Sequence, residues 1–193
     1  MYIRNLISDP NIFNDTTDDG YLIDNKFLQC IRSDITEFIT TTIKDLHDKR
    51  ILEIGPREFI ANKYISEHNH VDTIDIIDNN ITTYVGDMTT TTSIPSATYD
   101  VVYCLDVIEH CNNPKGLFEE VARILKPNGI LHLSSPFGFR IHGPVPDFWR
   151  ISHYGLIHLS SITGYKVLSM NAMIDENRAA FPIHYTCSFI KNH

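Results

Sequence analysis

Long hydrophobic runs, basic patches and clustered cysteines are all missing from this sequence. No apolar stretch reaches the roughly 20 residues that span a bilayer, and the start MYIRNLISDPNIFND lacks the apolar centre of a signal peptide. We therefore predict no membrane segment and expect the protein to work in the cytosol.

Positive charge is also scarce, with 16 Lys and Arg against 24 Asp and Glu and a formal net charge of -8. Nucleic acids and anionic membranes bind basic patches, whereas Arg140 and Arg150 are isolated. We therefore predict a small-molecule partner, with no nucleic acid and no membrane. The sequence leaves open whether the protein forms a homo-oligomer.

Cysteines at positions 30, 104, 111 and 187 have no C-x-x-C spacing, so we expect reduced thiols. A chain of 193 residues with 42% hydrophobic residues is of ordinary size for one domain with a real core. We predict one domain over 1-193, with a polar arm over 1–24, an amphipathic helix over 25–48 and a core over 50–193.

The segment from Tyr99 to Pro136 carries the strongest pattern. Its apolar run over 101–105 is typical of a buried parallel strand. Asp106, Glu109 and His110 follow it, at the carboxyl end where open α/β sheets bind ligands.

A helix follows that strand. Asn113 can cap it and Pro114 suits its first position. Apolar residues over 117–125 recur at helical spacing, while Glu119, Glu120 and Arg123 are expected to face water. Residues 126–129 end the helix, and 130–134 return as a parallel strand.

The patterns D-V-V-x-x-x-x-V-x-E-H, N-P and E-V-x-R-x-L-K-P-x-G in this segment resemble class I S-adenosylmethionine (SAM) dependent methyltransferases. The resemblance implies an α/β fold: a Rossmann-like doubly wound sheet of seven mostly parallel strands, the last antiparallel, with helices on both faces. It also implies SAM as cofactor.

Upstream, residues 50–55 (RILEIG) resemble the first strand of that fold. The family's glycine loop keeps only Gly55 here, because Pro56 and Arg57 follow it, so we expect a different loop path. The resemblance implies that Asp75, with Asp78 as competitor, accepts ribose hydroxyls after a second strand over 71–76.

A third strand over 84–88 follows a link too short for a crossover helix, and a loop or single turn is expected there. The resemblance implies that Asp87 accepts the adenine amino group, with Met88 against the ring. The predicted cofactor-binding residues are Glu53, Gly55, Pro56, Arg57, Asp75, Ile76, Asp87, Met88, Leu105, Asp106 and Glu109.

The stretch from Ser134 to His153 combines aromatic, cationic and proton-transferring side chains with Pro and Gly, which predicts a long functional loop. It resembles a loop in a subgroup of these methyltransferases associated with glycan and sugar tailoring. We predict His142 as general base and His110 as its alternative, with Asp147 or Arg150 orienting the loop or the acceptor.

Two other interpretations concern the same loop. Asp147 and Arg150 can pair simply to anchor it, with Trp149 filling space under the sheet edge. His142, Asp147 and His153 match no zinc spacing, so no metal site is predicted.

Strands over 164–170 and 184–190, with a loop over 175–181 between them, complete the predicted fold. The leading function is SAM-dependent methyl transfer to a small polar acceptor, a hydroxyl of a sugar or nucleotide sugar. The alternatives are an amine or other small-metabolite acceptor, and a noncatalytic scaffold.

Overall fold

The computed structural model describes residues 19–56, 68–175 and 181–192. Its elements are α1 (Asp19–Ile43), β1 (Arg50–Ile54), β2 (His70–Asp75), β3 (Tyr84–Val85), β4 (Tyr99–Leu105), a one-turn 3₁₀ helix (Ile108–His110), α2 (Pro114–Ile124), β5 (Leu125–Pro136), α3 (His153–Ile162), β6 (Tyr165–Ile174) and β7 (Pro182–Lys191). Within these ranges, none of the helices combines the length and apolar character that crossing a membrane requires.

The strands form one seven-stranded sheet in the order β3-β2-β1-β4-β5-β7-β6. Strands β1 to β5 pair in parallel, and β7 lies antiparallel to both β5 and β6. The predicted α/β class, with its antiparallel last strand, is confirmed.

Alternate residues of each central strand face opposite layers, as the two-residue period of a strand requires. Val101 and Tyr103 of β4 pack with the isoleucines of α1, whereas Val102 and Cys104 pack with α2. Helices therefore cover both faces of the sheet and leave its carboxyl edge open.

Helix α2 begins as predicted: the Asn113 side chain accepts a hydrogen bond from the Gly116 amide, and Pro114 is the first helical residue. The prediction that Glu120 faces water is wrong. Its side chain is buried, accepts hydrogen bonds from the amide and hydroxyl of Thr92, and pairs with Arg123. Glu120 thus ties the loop before β4 to the helix.

Several predicted boundaries are wrong. Helix α1 begins at Asp19, inside the predicted arm, and ends at Ile43 rather than in the predicted 47–48 region. Residues 126–129 bulge within β5, because Tyr99 pairs with Leu125 but Val101 pairs with Ile130. Strand β3 has only two residues, so Asp87 and Met88 follow it in the loop.

Helix α3 has no counterpart in the sequence analysis. Ser152 caps it by accepting from the Gly155 amide, and Leu156 is its buried apolar residue. The expected link without a helix between β2 and β3 is confirmed. The predicted loop over 175–181 lies mostly outside the described residues.

Candidate active site

A cavity of about 750 Å³ lies along the carboxyl edge of the sheet. Residues that follow β1, β2, β3 and β4 form its floor, and one face of α1 and the loop after β5 form its walls. This is the crevice in which open α/β sheets bind ligands.

The first part of this cavity lies beside β1, where the chain turns sharply at Gly55. The backbone φ of Gly55 is +64°, and a Cβ there would lie 2.8 Å from Val107 Cγ2. Glycine is therefore required both by the left-handed conformation and by the close approach of the loop after β4, the strand that pairs with β1. The turn lets the backbone border the cavity without a side chain.

Two carboxylates border the same part of the cavity, at the ends of β2 and β3. Asp75 Oδ1 accepts from the Ile77 amide at 3.2 Å, and Asp87 Oδ1 accepts from the amide and hydroxyl of Thr89 at 2.8 and 2.7 Å. These local bonds fix both side chains at the cavity. Ile76 and Ile77 are exposed beside them and offer an apolar surface.

Most other predicted cofactor residues also reach this cavity. Glu53, Met88, Leu105 and Asp106 line it, although Met88 is almost fully buried. Pro56 and Glu109 do not line it, and Arg57 lies outside the described residues. Acidic acceptors, apolar surface and a glycine turn together fit a nucleoside-bearing cofactor such as SAM.

The cavity is also lined by His110 and His142, from the 3₁₀ helix and the loop after β5, and this part of it is called the histidine end below. The two rings meet edge to face with centroids 5.1 Å apart. Burial, with smaller contributions from His110 and Arg150, lowers the pKa of His142 even though Asp147 opposes this. A neutral ring has a nitrogen lone pair that can accept a proton.

Behind these rings lies Glu109, which is 0% exposed. Its Oε1 is 3.7 Å from Nε2 of His110 and 3.7 Å from Nε2 of His142. Burial raises the pKa of Glu109 well above its ordinary value, and the nearby carboxylates of Asp106 and Asp147 add to this rise.

A second charged group, which the sequence analysis missed, lies beneath the cavity. His184 of β7 contacts Asp106 Oδ1 through Nε2 at 2.8 Å and Asp34 Oδ2 of α1 through Nδ1 at 3.1 Å. Ser134 also donates to Asp106 Oδ1 at 2.7 Å. Asp106 has a positive φ of 51°, and these bonds hold it there. No local sequence signal links residues so far apart in the chain.

Asp147 and Arg150 form a paired anchor inside the loop after β5. Arg150 Nη1 donates to Asp147 Oδ1 at 2.6 Å and Nη2 to Oδ2 at 2.7 Å, while Nε donates to the Phe139 carbonyl at 3.1 Å. Asp147 Oδ2 also accepts from the His142 amide at 2.9 Å. This geometry matches the loop-anchoring interpretation, in which both residues position His142.

The loop is also bound to the 3₁₀ helix through the main chain. The amides of Phe148 and Trp149 donate to the Glu109 carbonyl at 2.7 and 3.2 Å, and the Trp149 indole donates to the Cys111 carbonyl at 2.8 Å. The prediction that Trp149 fills space under the sheet is wrong, because the side chain remains 41% exposed.

Replacing Arg150 with Lys is expected to lower the free energy of unfolding by about 1–2 kcal/mol, because one ammonium cannot make the two parallel bonds to Asp147. Urea unfolding followed by tryptophan fluorescence measures the change. Lys115→Gln is the control, because Lys115 and Glu119 form an exposed pair on α2 that contributes under about 0.5 kcal/mol. Equal losses in the two variants would contradict the anchoring role.

Comparison with known proteins agrees with this architecture. Residues 57–133 match the family model described as a methyltransferase domain. Ubiquinone biosynthesis O-methyltransferase of Rickettsia canadensis (strain McKiel) is 31% identical over 114 residues, covering 52% of this chain and 48% of that protein. The chain thus spans about half the length of this curated relative.

Solved structures share the fold at low identity. One is the complex between the Haloferax volcanii Trm112 methyltransferase activator and a methyltransferase, with a TM-score of 0.67, 14% identity and 100% of both chains covered. Another is Burkholderia thailandensis 1,6-didemethyltoxoflavin-N1-methyltransferase with bound S-adenosylhomocysteine, with a TM-score of 0.62, 10% identity, and 88% of this chain and 91% of that chain covered. The protein therefore has the Rossmann-like fold of class I SAM-dependent methyltransferases, and its residues 57–133 are similar in sequence to a methyltransferase domain.

Proposed function

We propose that this protein is a SAM-dependent methyltransferase that acts on a hydroxyl of a small polar acceptor, with a sugar or nucleotide sugar as the acceptor class. One observation carries the proposal: a single cavity is lined both by two carboxylates, Asp75 at the end of β2 and Asp87 after β3, and by two histidines, His110 and His142. The part lined by Asp75 and Asp87 is called the carboxylate end below. The O-methyltransferase name of the curated relative supports oxygen as the methylated atom.

The carboxylate end is the proposed nucleoside site. Asp75 accepts hydrogen bonds from the ribose hydroxyls, and Asp87 accepts from the adenine amino group. Ile76 and Ile77 supply apolar contact to the base, and Gly55 lets the backbone approach the ligand. When bound, SAM supplies a methyl group whose bond to sulfur breaks, leaving the electron pair on sulfur as the bond to the acceptor oxygen forms.

The histidine end is the proposed acceptor site. His142 accepts the hydroxyl proton at Nε2, or His110 does so, because a neutral hydroxyl is a poor nucleophile. Asp147 and Arg150 act as positioning residues, since they hold the loop that carries His142. The cavity walls also align the acceptor with the methyl group, which accounts for much of the catalysis in such a reaction.

The loop walls favour a sugar-like acceptor. Phe139 and Phe148 line the cavity and can stack on a sugar face, while Arg140 can approach a phosphate. Trp149 is not among the lining residues, so the proposed stacking falls to the two phenylalanines.

Replacing Asp75 with Ala is expected to weaken the binding of S-adenosylhomocysteine by about 10–100-fold, because the ribose hydroxyls lose a charged acceptor. Isothermal titration of the purified protein with SAM and with S-adenosylhomocysteine measures this. Asp78→Ala is the matched control, since Asp78 is an exposed neighbour outside the cavity lining.

Micromolar binding that is lost only in Asp75→Ala supports the nucleoside site and directs a screen of nucleotide sugars for methyl transfer. If the unmodified protein binds neither ligand, the proposal fails and the noncatalytic scaffold becomes the better description.

A further inference from the structure

Three side chains that each offer a potential metal ligand atom converge at the histidine end of the cavity. One carboxylate oxygen of Glu109 and one nitrogen each of His110 and His142 all lie within 4.8 Å of one another. Ligand atoms bound to one transition ion at about 2.1 Å are separated by roughly 3.0–3.5 Å. The two 3.7 Å separations from Glu109 Oε1 therefore need only a small contraction to enclose an ion.

Both histidine rings are held in place through Nδ1, while Nε2 is the nitrogen nearer Glu109. His110 Nδ1 lies 3.1 Å from the Pro146 carbonyl oxygen. His142 Nδ1 lies 3.4 Å from the Arg140 carbonyl oxygen and 3.1 Å from Asp147 Oδ2. The His110 partner is an acceptor, and so are the two nearer neighbours of His142 Nδ1, while the donor Arg150 Nη2 lies farther away at 3.5 Å. We therefore infer that each Nδ1 carries the proton and each Nε2 has a lone pair. Metal-binding histidines have this arrangement, in which the second nitrogen donates to a carbonyl or carboxylate.

Glu109 supplies a second, independent observation. Both of its carboxylate oxygens are buried and have no hydrogen-bond partner among the described residues. The distance of 3.7 Å to each histidine is too long for a hydrogen bond. A buried carboxylate without a partner is costly, and a bound cation would remove that cost.

We propose that Glu109, His110 and His142 bind a divalent first-row transition ion such as Zn²⁺, Mn²⁺ or Fe²⁺. Two imidazoles and one carboxylate suit these ions better than Mg²⁺ or Ca²⁺, which favour oxygen ligands alone. Three protein ligands leave coordination positions open, and both histidines line the cavity, so those positions are accessible to an acceptor.

The chemical role of the ion rests on the proposed function, whereas its binding does not. An acceptor hydroxyl bound to the ion has a lowered pKa, so its proton leaves to solvent and its oxygen keeps the electron pair that attacks the methyl carbon. The lone pair of His142 Nε2 cannot bind an ion and accept a proton at the same time. Ion binding would thus replace the general-base role of His142.

This ligand set differs from the one considered in the sequence analysis. Asp147 pairs with Arg150, and His153 packs against the rings of Tyr154 and Tyr185. The prediction that no metal binds therefore concerned a different set of side chains. The new set depends on the loop after β5 folding back onto the 3₁₀ helix.

The test titrates chelator-treated protein, without SAM, with Zn²⁺ by calorimetry and with Co²⁺ by visible absorption. We expect one ion per chain with micromolar or tighter affinity, and bands from Co²⁺ bound to nitrogen and oxygen ligands. Glu109→Gln and His142→Gln should each weaken binding by about 100-fold or more. His158→Gln, on the exposed face of α3, is the matched control and should leave affinity unchanged.

Thermal unfolding of each variant without metal checks that the fold is retained. Glu109→Gln is nearly isosteric and places an uncharged amide in the buried position, so it should not lower the unfolding temperature. Failure of the unmodified protein to bind either ion at 100 µM, as a rough upper limit, overturns the inference. Binding unaffected by both cluster variants also overturns it. Neither outcome changes SAM binding, which tests the proposed function separately.

Discussion

Replacing His142 with Ala is expected to lower methyl-transfer turnover by about two to four orders of magnitude while leaving the affinity for S-adenosylhomocysteine nearly unchanged. The ring lies at the histidine end of the cavity, and the residues proposed to hold the nucleoside lie beyond β2 and β3. In the two roles proposed above, its Nε2 lone pair removes the acceptor proton directly or binds an ion that promotes the proton's loss. Either role ends when the ring is removed.

Turnover is measured as S-adenosylhomocysteine release, with the best acceptor found among sugars, nucleotide sugars and phenols. Affinity is measured by calorimetry on the same preparation. His158→Ala serves as the control, since this histidine is exposed and lies outside the cavity lining. Turnover within about threefold of the unmodified protein would exclude a catalytic role for His142.

Raising the pH from 6.5 to above 9 is expected to remove on the order of 3 kcal/mol of stability that depends on His184. Burial disfavours the charged ring, but the carboxylates of Asp106 and Asp34 outweigh it and raise the pKa of His184 to about 9. Because the pKa in the folded protein exceeds the ordinary 6.5, this stabilisation is complete below pH 6.5. It is lost as the pH rises through 9.

Urea unfolding at several pH values between 6.5 and 9.5 measures the loss. The quantity to compare is the slope of the unfolding free energy against pH, in the unmodified protein and in His184→Gln. That variant should have a much smaller slope, and it should also be less stable at pH 6.5 because two carboxylates lose their shared cation. His132→Gln is the contrasting variant.

Burial lowers the pKa of His132 to about 3, so its effect on stability appears as the pH falls below 6.5. In His132→Gln the unfolding free energy should therefore still fall between pH 6.5 and 9.5, as it does in the unmodified protein. Identical alkaline slopes in His184→Gln and the unmodified protein would contradict the charged state of His184.

The central part of the fold was predictable because its signals are local. The apolar run over 101–105, the Asn113–Pro114 start of α2 and the apolar spacing within that helix each specify one element over a few residues. Neighbouring parallel strands then bring Asp75 and Asp87 to one edge without further information. Their common placement could therefore be predicted from the strands, while their roles toward a nucleoside came from the resemblance to methyltransferases.

The errors arose where tertiary contacts decide the outcome. Helical spacing places Glu120 outside the apolar stripe of α2, yet its carboxylate is buried, where it bonds to Thr92 and Arg123. Helix α3 follows a stretch whose Pro and Gly content hid its start at His153, after the Ser152 cap. The pairing of His184 with Asp34 joins α1 to the last strand, and no spacing rule predicts it.

The hydrogen bonds between the loop after β5 and the 3₁₀ helix separate two kinds of position within that loop. Residues 146–150 are joined to the 109–111 segment by two main-chain bonds, from the amides of Phe148 and Trp149, and by two bonds from the side chains of His110 and Trp149 to main-chain carbonyls. Gly143, Pro144 and Val145 are exposed beyond this join, and a side chain added at Gly143 would meet no atom within 4 Å. The tip can therefore change in sequence without loss of the bonds that join the loop to the 3₁₀ helix. Under the proposed function, such changes would alter which acceptor is bound while the positions of His110 and His142 are kept.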